Sequence, residues 1–351
     1  IADTDPLKLW LAAREILLAG NRIELSKTDP AWQEALAEAG ERLQSRRPDG
    51  SDASTAALLA LTMGYGDRDA GVPFVGFLVA RHGLLKAVEH LLEAQRSLVV
   101  GTDWDRATQK HERFLTADPD RPLGSSWHGP LSEGELAFRE HLAAAPQALY
   151  DECARRIVEV LPQLHPSRQI SMALLLPDRP ELSNELAHRY GGNGAPAQLH
   201  WLQLSATDPA AIAIARKVKI DGYTPFFGHE DMVATVLIEH GVEALDRLAP
   251  GAGYDAAGEA LVAIGTPDAI EALAAAASMS KNTLARLTRA VNRWPSAAMV
   301  GLARVIANGG KDAVLLGPSL TALLRARADQ VPALRPWLSP AAAQTIDKLL
   351  A

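Results

Sequence analysis

The sequence predicts an all-α protein, an α-α superhelix of antiparallel helix pairs stacked in chain order. Three observations predict it. The composition is 48% hydrophobic but only 5% aromatic, and Ala and Leu, the strongest helix formers, dominate it. Apolar residues fall at three- and four-residue spacing, as in Leu149, Cys153, Ile157, Val160, Leu161 and Leu164, the stripe of a buried helix. Turn signals then recur at Pro177-Asp178, Thr207-Asp208-Pro209, His240-Gly241, Gly265-Thr266-Pro267 and Trp294-Pro295. Counted from 178, 208, 241, 267 and 295, the separations are 30, 33, 26 and 28 residues. A helix pair of that length leaves an apolar face wet, so successive pairs must stack.

Taken in order, Asp5-Pro6 opens a helix running to about Leu18, with Leu7, Leu11 and Ile16 on its apolar side. Thr28-Asp29-Pro30 caps the next, which ends near Ser45 before the breaker Arg46-Arg47-Pro48-Asp49-Gly50. Helices follow over Ala53–Met63 and Val72–Ala80, joined by a turn at Gly64-Tyr65-Gly66-Asp67. After His82-Gly83 a helix gathers Leu84, Leu85, Val88, Leu91 and Leu92 on one face. Residues 98–131 are polar and contain Pro and Gly, which reads as a long loop with a short helix around Arg106–Leu115. This loop separates an N-terminal helical subregion, 1–97, from a helical repeat region, 132–351. Helices around Val314–Ala328 and Pro340–Leu350 close the stack.

A chain of 351 residues buries a sizeable core. Its net charge of −7, from 35 Lys and Arg against 42 Asp and Glu, opposes a role dominated by phosphate contacts. The single cysteine, Cys153, precludes an intrachain disulfide and any multi-cysteine zinc site, and a cytoplasmic setting is expected. No apolar run reaches membrane-spanning length, so no membrane partner is expected. The first residues, Ile1-Ala2-Asp3, lack a Met, which suggests a fragment or internal domain of a longer protein, though processing would look the same.

The segment Ala257–Ala274 resembles the short HEAT-like repeat of the phycobilisome-lyase type. In that repeat an apolar helix ends in Ile-Gly, a small-Pro-acidic turn follows, and Ala-Ile/Val-x-Ala-Leu opens the next helix. Ile264-Gly265, Thr266-Pro267-Asp268 and Ala269-Ile270-Glu271-Ala272-Leu273 match it in turn. The likeness implies a HEAT-like solenoid and no particular activity. More broadly, Pro177-Asp178-Arg179-Pro180-Glu181-Leu182 and Asn292-Arg293-Trp294-Pro295 resemble the helical-repeat region of bacterial WGR-domain proteins, some of them MolR-type regulators. No Trp-Gly-Arg tripeptide occurs here, so that family's nucleic-acid module does not carry over.

No catalytic constellation, cofactor fingerprint or metal set emerges. Gly251-Ala252-Gly253 with Gly258 has the wrong spacing and context for a dinucleotide loop and reads as a helix linker, as does Gly191-Gly192-Asn193-Gly194. His229-Glu230-Asp231 are adjacent and so face different ways on a helix. His82 and His90 would share a face if Gly83 did not break the helix between them. His111 and His128 share the long loop with Asp103, Asp105 and Glu112, the one region rich enough in ligand types for a site. Cys153, on an apolar stripe, reads as core. Arg155, Arg156, Arg325 and Arg327 read as solvated helix positions.

Trp201, beside His200, and Trp294 are either core residues or anchors on a concave face, where Arg155 and Arg156 would join them. The expected function is a non-enzymatic scaffold that binds a protein partner or other domains of the same polypeptide. The alternative is a nucleic-acid-binding HEAT-like protein resembling the alkylpurine DNA glycosylases, which the acidic charge counts against.

Overall fold

The computed structural model describes residues 5–19, 21–63, 68–97, 99–107, 109–116, 131–218, 228, 230–309 and 311–351. The expected Gly64–Asp67 turn, His128 and His229 lie outside them. The chain divides into two compact units, Ile1–Thr224 and Pro225–Ala351. The division falls well past the 98–131 segment that the sequence offered as the boundary.

Among the described residues the fold is all-α apart from one small sheet. In the first unit α1 (Pro6–Ala19), α2 (Gln33–Ser45), α3 (Asp52–Met63), α4 (Arg68–His82) and α5 (Leu84–Ser97) precede the sheet hairpin. After it come α6 (Glu133–Ala143), α7 (Gln147–Val160), α8 (Pro166–Leu174), α9 (Pro180–Tyr190) and α10 (Pro209–Lys217). Helix starts follow the caps written in the sequence. The carboxylate of Asp29 accepts from Ala31 N at 2.9 Å, and that of Asp208 from Ala210 N at 3.0 Å. Ser132 and Glu135 form a reciprocal capping box at α6.

The helix α1 buries Trp10, Ala13 and Leu17 and leaves Leu7 about half exposed, so its inward face is turned from the one expected. The aromatic rings explain the rotation. Trp10 packs on Phe74 and Phe77 of α4, with centroids 6.2 and 5.6 Å away, a larger gain than a leucine would bring. Helices α4 and α6 cross where a Cβ on Gly71 would stand 2.7 Å from Gly134 N, so only glycine allows the approach. Helix α3 is buried nearly all round, from Ser54 to Met63.

The expected loop at 98–131 instead contains a hairpin. β2 (Val99–Asp105) and β3 (Lys110–Thr116) pair antiparallel, with Gly101 opposite Phe114 and Trp104 opposite His111. The helix expected over Arg106–Leu115 is therefore wrong. Burial along β3 alternates, with Arg113 and Leu115 inward, which is the two-residue period of a strand. Its inward arginine disguised that period. β1 (Asn21–Ile23) joins the other edge of β3 in parallel, giving the order β1-β3-β2.

The second unit holds α11 (Glu230–His240), α12 (Leu245–Leu248), α13 (Asp255–Ile264), α14 (Pro267–Ala275), α15 (Lys281–Arg293), α16 (Pro295–Asn308), α17 (Lys311–Ala326), α18 (Val331–Leu334) and α19 (Pro340–Leu350). Every turn named in its sequence falls between helices. Gly265 caps α13 with φ +62°, and Thr266 caps α14 by accepting from Ala269 N at 3.3 Å. The Trp294 indole lies over Gly265 and donates to Val262 O at 2.8 Å. Ile270 is fully buried, whereas Ile264 is only partly so. The helix before the turn ends at Ile264, where the capping residues leave its side chain incompletely covered. Among the described residues no helix is long and apolar enough to cross a membrane.

Candidate functional site

Two clefts mark the first unit. The larger, about 470 Å³, opens where α1, α2 and the sheet meet. Leu17 and Leu18 of α1, Leu36 and Leu43 of α2, and Ile23 of the edge strand β1 line it. Gly40 lies on its α2 side, and Arg22, Lys110, Arg113 and Gln44 supply its polar groups. Among the described residues its lining contains three cationic side chains and no carboxylate. Arg22 is bonded to Glu24 at 2.7 Å and Glu112 at 2.9 Å. Glu112 and Asp103 both also hold Lys27, each at 2.6 Å. The acidic residues beside His111 therefore brace β1 and the 24–28 turn against the hairpin.

The smaller cleft, about 400 Å³, lies among Asp52, Lys86, Glu89, His90, Arg96 and Trp32. His90 is 4% exposed, and burial pushes its imidazole down to about 4, so it is neutral near pH 7. Its Nε2 stands 3.8 Å from Asp52 Oδ1, too far for a hydrogen bond, while Asp52 pairs with Lys86 at 2.9 Å. No oriented acid–base couple results. Gly83 breaks the helix as the sequence required, yet the His82 and His90 rings still meet edge-on, 6.2 Å apart, because the chain doubles back there.

His111 sits opposite Trp104 with ring centroids 4.7 Å apart, and His128, its proposed companion, lies outside the described residues. Among the described residues no group of His, Cys, Asp and Glu could hold a metal ion. Trp201 is 1% exposed and so is a core residue, which removes it as a surface anchor. His200 is partly buried, its Nδ1 3.0 Å from Val218 O, and burial lowers its pKa. Trp294 serves the Gly265 turn. Arg155 is bonded to Glu152 and Glu159, and Arg156 to Glu159, so neither presents an uncompensated charge. Cys153 is buried, and desolvation raises its thiol to about 11, as a core residue requires.

Arg42 and Glu135 are among the buried charges that escaped the sequence reading. Arg42 is 1% exposed and has no carboxylate within ion-pair distance among the described residues. Its guanidinium donates to Ser54 Oγ at 2.8 Å, Thr55 Oγ1 at 3.1 Å and the Pro48 carbonyl, and it lies 5.5 Å from the Trp10 ring. Burial lowers its pKa to about 10. Glu135 is wholly buried, which raises its pKa, and it accepts from Gln95 Nε2 at 3.0 Å. A charged residue within the stripe Ala35, Leu36, Ala39, Arg42, Leu43 was the signal for the first, and the Ser132-x-x-Glu135 spacing for the second.

Fold and clefts together define a helical protein with a small mixed sheet and an apolar, cation-rimmed cleft beside it. The chain belongs to the family described as YehI second domain, whose model matches residues 8–223. That match ends one residue before the first compact unit does. The chain is also similar to the uncharacterized protein YehI of Escherichia coli (strain K12), at 28% identity over 232 residues, covering 61% of this chain and 19% of that protein. It thus spans about a fifth of the length of that relative. No solved structure matches the chain.

Proposed function

We propose that the chain is a non-enzymatic scaffold module of a larger cytoplasmic protein, binding a protein segment in the cleft beside β1. The observation that carries this reading is the composition of the cleft. Leucine walls supply burial, the exposed Lys110 supplies orientation, and an edge strand lies alongside, the combination used to seat an extended peptide. HEAT-like stacking of the second unit is part of the proposal. It is supported by the pairs α13/α14 and α15/α16, in which α13 packs on α15 and α14 on α16.

A photo-crosslinking residue at Gln44, on the cleft wall, tests the reading in the full chain. The expected product is a protein–protein adduct lost when Leu25→Lys, at an exposed position of the cleft lining, is added. A nucleic-acid adduct, or none, refutes it. Titration of labelled single- and double-stranded DNA at about 0.15 M salt separates the nucleic-acid reading. With a net charge of −7, only weak, salt-sensitive binding is expected, and nanomolar affinity overturns the scaffold.

A further inference from the structure

The second unit carries an apolar groove that nothing in its own fold fills. Helices α15 and α17 both pack on α16, and a groove of about 290 Å³ runs between them. Leu284, Leu287 and Val291 line one side, at the three- and four-residue spacing of a single helix face. Leu315, Ser319 and Leu323 line the other, four residues apart, and Leu302 of α16 lies at its base. No charged side chain lines it. Leu284 is 38% exposed, Leu315 43% and Val314, beside it, 82%, an expense of apolar surface that a covering partner would recover.

The charges along α15 are of one sign, whereas α17 opens on Lys311 and Asp312. Helix α15 has Lys281, Arg286, Arg289 and Arg293 and no carboxylate. Arg286 and Arg289 are held by Asp255 and Glu259 of α13. Lys281, one turn before Leu284, and Arg325, one turn beyond Ala322 of the groove wall, are exposed and have no carboxylate partner among the described residues. Each apolar stripe therefore runs out onto an unneutralised cation.

We infer that this groove docks an acidic amphipathic helix of a partner protein. Apolar side chains of that helix at i, i+4 and i+7 would enter between α15 and α17, and carboxylates at its ends would meet Lys281 and Arg325. Burial supplies the affinity, and the charges select among amphipathic helices and set the orientation. This inference rests on the protein-binding reading but concerns the other unit, so the Gln44 crosslink and the groove fail separately.

The test uses the full chain and two fluorescent synthetic peptides of about 18 residues, five helical turns. Both have leucines on one face. One has glutamates on its flanks and the other lysines. Fluorescence anisotropy at about 0.15 M salt should show the acidic peptide binding about tenfold or more tighter. The double variant Lys281→Glu/Arg325→Glu should reverse that preference. Leu315→Asp, at an exposed position, should abolish binding of the acidic peptide while circular dichroism stays unchanged. Ala322→Trp, which fills the exposed groove wall, should do the same by sterics alone. The inference is overturned if neither peptide binds, if both bind alike, or if the double variant leaves the preference intact. A concentration-dependent dimer in sedimentation that Leu315→Asp dissolves would assign the groove to a second copy of this chain and overturn it too.

Discussion

Replacing Gly265 by alanine probes two costs at once. Its backbone sits at φ +62° and ψ +21°, a left-handed conformation that disfavours an L side chain by about 1–2 kcal/mol. The new Cβ would also overlap the Trp294 indole, which must shift and lose its 2.8 Å hydrogen bond to Val262 O, a further loss of about 1–2 kcal/mol. The expected total is about 3 kcal/mol, or on the order of 10 °C in Tm for a unit this size. Urea and thermal unfolding followed by circular dichroism provide the assay. The same change in a Trp294→Leu background removes the overlap and leaves only the backbone cost, about 1–2 kcal/mol. Equal losses in both backgrounds would refute the role given to the indole. No loss in either would refute the assigned turn.

Further outcomes follow from burial. Ile270→Asp places an unpaired charge at a fully buried position and should cost about 3–5 kcal/mol in urea unfolding, whereas Ile264→Asp, partly exposed, should cost clearly less. Arg42→Ala should destabilise the first unit by about 3 kcal/mol. Arg42→Lys should not restore it, because one ammonium cannot reach Ser54, Thr55 and the Pro48 carbonyl together. His90 has a folded pKa near 4 against an ordinary 6.5, so the unfolded chain binds its proton first. Its contribution to stability is therefore complete above pH 6.5 and falls away as the pH drops toward 4. Urea midpoints measured across that window should decline less steeply in His90→Phe than in the natural chain.

Helices and their ends were legible because they are written locally. Caps such as Asp29, Asp208 and Thr266, the break at Gly83 and the stripe through Cys153 each need only a few neighbouring residues. The strands were not legible. β3 buries Arg113 and opens on Lys110-His111-Glu112, so its alternation is hidden behind charge, and β1 is three residues long. Both make sense only with their partners in view. The clefts were hidden for the same reason. Nothing in the local sequence marks Leu17, Leu36 and Ile23, which three separate elements bring round one space. Trp201 was open to both readings, since a large aromatic in a helical repeat is as good a core residue as an anchor, and its burial assigns it to the core.

The register of the sheet also sets a schedule for the chain's synthesis. Arg22 of β1 pairs with Glu112 of β3, 90 residues later, whereas β2 and β3 are joined by a short turn. Closing the longer loop costs about 2–3 kcal/mol more chain entropy than closing the hairpin, so β1 is expected to be seated last, on a hairpin already formed. On a ribosome adding about 5–20 residues per second, the first strand waits roughly 5–20 s for its neighbour to emerge. Throughout that wait it offers an open backbone ladder to any other nascent chain. A strand of only Asn21–Ile23, with a cation at its centre, is a poor template for such pairing. Its brevity protects the nascent protein during the interval before the sheet exists.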